Sequence, residues 1–346
     1  MLFGFYYEYI IGVIKLEEQL RLLLEYSIRK EASDIHFILN NNYLKISLRT
    51  MNGFEQIVQD LWGPSLFEYI KFISGLDLFH PMDPQSGQFR FRVLEMDYSF
   101  RFSIIVNNGI ETGVLRILKF NTKFLIDELV LQVEQREYFH RLSQSRQGLI
   151  ISSGPTNSGK TTTIHSLLHE IAKKNNFKVV TLEDPIEIYD DGYLQLQINN
   201  EAGFTYEKGI EELLRHDPDV IFIGETRNEY TAKMLIRAAL TGHLVFTTIH
   251  AKDGRETINR LLDLGVNSYD LSNTLTSVFA QRLYNKKHGG KQCIYEILDQ
   301  EEIQTVLSTH RYSESHRSLG EEIQYAINNG YIDDSQAWID AEDLRR

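Results

Sequence analysis

One cysteine, Cys293, stands in a chain of 346 residues. It cannot build a disulfide framework within the chain or a thiolate-rich zinc site, and its isolation fits a reducing compartment. Positive charge is also short. Lys and Arg number 36 against 48 Asp and Glu, for a net charge of −12. That balance argues against a broad nucleic-acid-binding face and leaves room only for a local basic patch. No apolar run reaches the roughly 18–20 residues that a bilayer-spanning helix needs, so a cytosolic, at most peripheral, protein is expected. The opening MLFGFYYEYIIGVI is mostly apolar and aromatic, yet it is short, carries Glu8 and has no basic region before it. A signal peptide is therefore not expected. Membrane contact, a staple onto the following domain and a mis-assigned start codon all stay open for this stretch. Internal repeats and low-complexity tracts are absent.

What is present is ordinary for a globular protein: 42% hydrophobic and 24% charged residues. The length implies about two or three domains. Leu16, Leu20, Leu23, Leu24 and Ile28 share one face of a helix over 15–29. Alternation runs from Ile35 through Tyr43, Leu44, Ile46 and Leu48, broken by the turn-forming Asn40, Asn41 and Asn42. A second helix is expected over 65–73, followed by two or three strands with a hairpin at Asn107, Asn108 and Gly109. Residues 1–120 thus read as an α+β domain with an antiparallel sheet, and 121–128 as a linker. Residues 129–346 read as a second domain entered by a helix over 126–142. Its strands are expected at 148–153, 178–183, 219–223 and 243–249, and its helices at 160–174, 206–215 and 228–241. That alternation implies a parallel sheet flanked by helices. After Asp253 the chain is expected to be predominantly helical.

The chemistry centres on GPTNSGKT at 154–161, which fits G-x-x-x-x-G-K-S/T. The apolar Leu149, Ile150 and Ile151 precede it as a buried strand, and Ile164, Leu167, Leu168 and Ile171 follow at helical spacing. Strand, loop and helix together make a phosphate cradle. The loop and the helix N-terminus turn backbone N–H groups toward an anion that the helix dipole also favours. Gly154, Pro155, Thr156, Asn157, Ser158, Gly159, Lys160, Thr161 and Thr162 are the candidate nucleotide-binding residues. Lys160 reaches the β- and γ-phosphates, and the Thr161 hydroxyl can ligate Mg²⁺.

Two acidic segments follow. TLEDPIE places Glu183 at the end of a strand, where it could position or deprotonate water or hold the metal. A polar turn closed by Pro185 is the plainer alternative. DVIFIGE places Glu225 after four apolar residues, suited to hold Mg²⁺ partly through water and to polarise the attacking water. His243 and His250 bracket LVFTTI. His250 is the better candidate γ-phosphate sensor, and a structural role is the alternative for either.

These segments together resemble the type II/type IV secretion-system and pilus ATPases. GPTNSGKTTT, TLEDPIE, LRHDPDVIFIGETRN and TGHLVFTTIH look like that family's Walker A, Asp, Walker B and His boxes. ASDIHF, VLRIL, AQRL and YEIL also fit, so the resemblance covers about residues 30–300. Size and overall look are most similar to the late-competence pilus ATPases of Gram-positive bacteria. The resemblance implies a RecA-like P-loop ATPase core with a parallel sheet, preceded by a smaller α+β, PAS-like domain. It implies ATP and Mg²⁺ as cofactors and a homo-hexamer with ATP between subunits. That hexamer would sit in the cytoplasm, docked at the inner face of the membrane on a platform protein, acting on pseudopilins indirectly. Two departures stand out. Asn157 replaces the usual Gly, and Asn tolerates left-handed backbone better than most residues. The tetracysteine zinc motif of many members is missing after Gln281, Arg282 and Leu283, so no zinc is expected.

Assembly of a competence pseudopilus for DNA uptake is the leading expectation. A retraction motor and a non-hydrolysing scaffold are the alternatives, and direct nucleic-acid binding is not expected. The P-loop core offers only Lys160 as an obvious cation, so a second one is wanted for phosphoryl transfer. Arg90, Arg92, Arg101 and Arg116 lie on strand candidates of the first domain. In the resembled family, arginines of this domain point toward nucleotide, and Arg101 and Arg116 match those positions best. The plainer alternative is a solvated basic strand face.

Overall fold

Why the alternation over 35–48 must be a sheet is plain from its burial in the computed structural model: Ile35, Phe37, Ile46 and Leu48 all point into one core. The structure describes all residues except 1, 42, 51–52, 58–61, 80–82, 119–124, 176, 201, 288 and 345–346, with only the backbone for 2–14 and 175. The chain divides into two units, Met1–Thr122 and Lys123–Arg346.

The first unit opens with α1 (Leu2–Arg29), longer than the helix read at 15–29; it buries Leu20, Leu23 and Leu24. The side chains of the apolar opening lie outside the described residues. Strands β1 (Asp34–Asn40), β2 (Tyr43–Thr50) and β3 (Gly53–Ile57) lead to α2 (Pro64–Ile73), and β4 (Gln85–Val93), β5 (Met96–Asn107) and β6 (Ile110–Leu118) complete the unit. The sheet is antiparallel in the order β3-β2-β1-β6-β5-β4. The turn between β5 and β6 puts Asn108 at φ 50° and Gly109 at φ 77°, the left-handed pair that a two-residue hairpin demands. Phe37, Phe67 and Phe102 meet edge-on or tilted in the core, with centroids 5.5–5.8 Å apart.

The second unit begins with α3 (Ile126–Leu129) and α4 (Val133–Leu142). The single helix expected over 126–142 is broken because Val130 and Gln132 are extended, and the Arg136 side chain takes up the freed carbonyls of Val130 and Leu131. Of the span expected as linker, 121–124 lies outside the described residues. Ile126 is buried in the same cluster as Ile164 and Leu168.

Then come β7 (Gly148–Ser153), α5 (Lys160–Asn175), β8 (Val179–Glu183), β9 (Leu194–Gln197), α6 (Tyr206–Leu213), β10 (Val220–Ile223), α7 (Glu229–Leu240) and β11 (Leu244–Ile249). After α8 (Gly254–Asp263) and α9 (Ser268–Thr274) the chain does not stay helical as expected. It forms β12 (Leu275–Asn285) and β13 (Lys291–Leu298), and only then the small helices α10 (Gln300–Thr309), α11 (Leu319–Asn328) and α12 (Ser335–Asp343). Leu275, Val278, Phe279 and Leu283 fall at helical spacing, but both faces of β12 are covered, so alternation is not required of it. The sheet order is β13-β12-β7-β11-β10-β8-β9; every pairing is parallel except β12 with β13. β7 and β11 lie at the middle, each buried along its whole length. The phosphate-loop strand is thus central, with its C-terminal end beside those of β10 and β11. No described helix is long and apolar enough to cross a membrane.

Candidate active site

The loop between β7 and α5 turns through three residues of positive φ: Gly154 at 147°, Asn157 at 64° and Gly159 at 89°. Asn157 thus sits in the left-handed region its side chain permits. Thr163 closes the first turn of α5, its Oγ1 donating to Gly159 O at 3.2 Å and lying 2.9 Å from the Tyr295 hydroxyl. Lys160 is buried, and its ammonium donates to Gly154 O at 3.0 Å and Pro155 O at 2.9 Å. Burial pulls its pKa below the ordinary lysine value, Glu225 and Glu187 oppose that, and Arg282 adds to it.

Glu225 follows β10 and Gly224. Its Oε2 accepts from Arg227 Nη2 at 2.6 Å, and its Oε1 lies 3.4 Å from His250 Nε2. Burial pushes this carboxyl up, but Arg227, His250 and Lys160 outweigh the push and hold it below the usual glutamate value. The structure therefore brings Glu225 and His250 together within the field of Lys160. His243, at the other end of β11, is tied instead to Ala238 O at 3.0 Å and Thr241 Oγ1 at 3.1 Å, closing the end of α7.

Glu183 stands elsewhere. It is 2% exposed. Its Oε1 accepts from Thr181 Oγ1 at 2.6 Å and Gln195 Nε2 at 3.2 Å, and its Oε2 lies 3.2 Å from His165 Nε2. His165 Nδ1 in turn lies 2.5 Å from the Tyr193 hydroxyl. Both carboxylate oxygens are committed to protein partners inside the domain, a poor arrangement for a base that must reach water. The Asp-box carboxylate that acts on Lys160 is the exposed Glu187, one of the acids in TLEDPIE. In the sequence, strand-end position singles out Glu183 and nothing marks Glu187.

The expectation that Lys160 is the core's only cation is also corrected. Arg227 pairs with Glu225, and Arg282 on β12 donates to Gln281 O and Lys252 O, both at 3.0 Å. Arg227 was legible as the third residue of ETR; Arg282 lies in the strand that was read as helix. Metal capacity is limited. No group of three or more His, Cys, Asp or Glu among the described residues could hold an ion. Mg²⁺ at a phosphate loop does not need one, since a hydroxyl, a carboxylate, waters and phosphate oxygens suffice. Thr161, at the start of α5, and Glu225 fit that donor set.

The first unit's arginines share one face. Directly opposed residues run Phe54, Arg49, Asp34, Arg116, Arg101 and Gln88 across β3-β2-β1-β6-β5-β4. Arg90 and Arg92 continue that face on β4. Arg116 Nε donates to Asp34 Oδ1 at 2.8 Å, and Arg101 Nε to Ser86 Oγ at 3.1 Å. Burial raises the Asp34 carboxyl, yet Arg116 and Ser33 bring it below its ordinary value.

The family described as Type II/IV secretion system protein matches residues 12–330. Competence protein ComGA of Halalkalibacterium halodurans is 35% identical over 345 residues, covering 93% of this chain and 98% of that protein. Competence protein ComGA of Bacillus subtilis is 35% identical over 270 residues, with 78% and 76% covered. Among solved structures, the pilus retraction motor PilT with bound ADP superposes at TM-score 0.74 and 26% identity over 92% of this chain and 95% of that one. The Legionella pneumophila ATPase DotB gives 0.72 at 20% identity over 91% and 93%, a likeness of fold.

Proposed function

The chain belongs to the type II/IV secretion system ATPase family, and from that premise we propose that it is a hexameric motor whose ATP hydrolysis drives assembly of a competence pseudopilus or type IV pilus. The observation that carries hydrolysis is the Glu225 carboxylate, gripped by Arg227 and His250 and sharing a field with Lys160. A carboxylate so placed beside the phosphate loop favours hydrolysis over a non-hydrolysing scaffold. Near full-length similarity to competence proteins favours assembly and DNA uptake; likeness to a retraction motor keeps the opposite direction as the second reading. The proposed location is the cytoplasmic face of the membrane, on a platform protein.

In this reading the loop amides and Lys160 hold the β- and γ-phosphates. Glu225 orients and polarises the attacking water, and His250 senses the γ-phosphate through Glu225. Glu187 supplies a second carboxylate near Lys160, while Glu183 fixes the segment that carries it. Bound through Thr161 and Glu225, Mg²⁺ would neutralise developing phosphate charge. Arg101 and Arg116 are proposed to complete the site of a neighbouring subunit, where a guanidinium is worth about 10³–10⁵ in rate.

Steady-state hydrolysis by the purified protein against Glu225→Gln tests the core of this. The variant should keep nucleotide binding and lose about 10²-fold or more in turnover; undiminished turnover would remove Glu225 from the chemistry. Mixing Lys160→Ala with Arg116→Ala, each inactive, should restore part of the activity after subunit exchange. Mixed hexamers that stay inactive remove the shared site.

A further inference from the structure

We propose that Gln281 positions the phosphate loop: its side-chain amide, donated to the Ser158 carbonyl from the neighbouring strand, holds the loop at the height from which it grips nucleotide. The proposal rests on reading 154–161 as a nucleotide site, and it adds a residue outside that motif.

Gln281 is wholly buried on β12. The register sets Ala280 opposite Ser153, the last residue of β7, so Gln281 is the first residue past the shared edge, level with the loop. Its Nε2 donates to Ser158 O at 2.8 Å, and its Oε1 accepts from Ser152 Oγ at 2.9 Å. The same Nε2 lies 3.1 Å from Cys293 Sγ. One side chain thus binds the strand before the loop and the middle of the loop itself. A neutral primary amide offers an acceptor oxygen and a donor nitrogen side by side at this reach. Asn is one carbon shorter, and an ammonium or carboxylate would add a buried charge near Lys160.

The loop's glycines carry a second, independent observation. A Cβ on Gly154 would stand 2.6 Å from Gln281 O and 2.6 Å from Ser158 Oγ; one on Gly159 would stand 3.2 Å from Gln281 Nε2. Both ends of the loop are therefore laid directly against this residue. The lack of side chains at 154 and 159 serves contact with the strand beside the loop as well as approach of phosphate from the other side. Gln281 O also accepts from Arg282, whose other nitrogen donates to Lys252 O, in the segment that follows His250. Movement of the loop and of the histidine segment therefore meets at one residue of β12. Gln281 touches no reacting atom; it acts through Ser158.

A core amide that merely satisfies its own polar groups would influence stability and leave nucleotide affinity alone. The two roles separate in an experiment on the full chain. ADP affinity is measured by calorimetric titration, KM and kcat for ATP by steady-state hydrolysis, and Tm by calorimetry. Gln281→Leu keeps the approximate volume and removes both hydrogen bonds. It should raise the ADP dissociation constant and KM at least tenfold, with a smaller change in kcat, because a displaced loop weakens ground state and transition state alike. Ser152→Ala leaves Gln281 in place but frees its acceptor, and should move the same two constants about two- to fivefold. A folded Gln281→Leu protein with a lowered Tm and an ADP affinity and KM within twofold of wild type overturns the proposal. If Gln281→Leu does not fold, an unchanged KM in Ser152→Ala overturns it instead. Wild-type protein that binds no ADP at all would remove the nucleotide-site reading, and this proposal with it; Lys160→Ala marks the non-binding baseline.

Discussion

Replacing Glu183 by Ala asks whether that carboxylate does chemistry or holds structure. The side chain is enclosed, so its partners gain nothing from water when it goes. Thr181 Oγ1, Gln195 Nε2 and His165 Nε2 would each lose an acceptor. A buried polar group left unpaired costs about 1–3 kcal/mol. Gln195 keeps its bond to Ile188 O and His165 keeps Tyr193, so the losses do not simply add. About 3–5 kcal/mol is the expected destabilisation. At roughly 2–4 °C per kcal/mol for a domain of this size, Tm should fall by about 6–20 °C. Glu183→Gln preserves shape and one acceptor and should cost less, about 1–2 kcal/mol, with kcat at 25 °C within about threefold of wild type. Urea unfolding and calorimetry supply the stability terms, and steady-state ATP hydrolysis the rate. A Glu183→Gln protein that melts like wild type but has lost turnover 10²-fold would refute this reasoning and return Glu183 to the role of base.

Lys160→Ala should abolish ADP binding and hydrolysis while the fold persists; a folded variant with normal turnover defeats the site assignment. Glu187→Gln should lower kcat by about tenfold or more with Tm unchanged, since Glu187 is exposed, and an unaffected rate would leave Glu225 as the sole working acid. Gly113→Ala sets a methyl 2.7 Å from the Phe102 ring and 2.8 Å from Phe67; overpacking of about 1–3 kcal/mol should appear in urea melts, and a neutral outcome would mean the aromatic cluster yields freely. His140 bonds Glu170 at 2.9 Å and Asp127 at 3.0 Å, which raise its pKa above the ordinary 6.5. Its stabilisation is complete below pH 6.5 and is lost as pH rises through the higher folded value. The stability gap between wild type and His140→Gln should therefore be wider at pH 6 than at pH 8.5, and a pH-independent gap contradicts the assignment.

Local chemistry was the legible part of this molecule. The phosphate loop, the acid after β10 and the left-handed Asn157 all declare themselves in a few adjacent residues, because backbone conformation and strand-end position are decided there. The four strands around the loop were read nearly to the residue, since each is a short apolar run closed by a turn. β12 was not, because Leu275, Val278, Phe279 and Leu283 fit a helix as well as a doubly buried strand. With β12 went Gln281 and Arg282, whose places depend on lying beside β7. The enclosure of Glu183 was not legible for a related reason. His165 and Gln195, which enclose Glu183, come from α5 and β9, and no spacing within TLEDPIE announces them.

The pairing of β12 with β7 also bears on how the chain is made. All four sequence boxes have been synthesised once His250 follows β11, yet the strand that flanks β7 on its other side starts only at Leu275. A nascent chain of that length holds a strand made for full burial with one edge unpaired, a template for association with other chains. Closing that edge waits on a contact of long sequence separation, the slow kind. If Gln281 supports the loop as proposed, nucleotide does not hasten the steps before β12 arrives. A protein cut after His250 should accordingly retain all four boxes and be both aggregation-prone and unable to bind ADP.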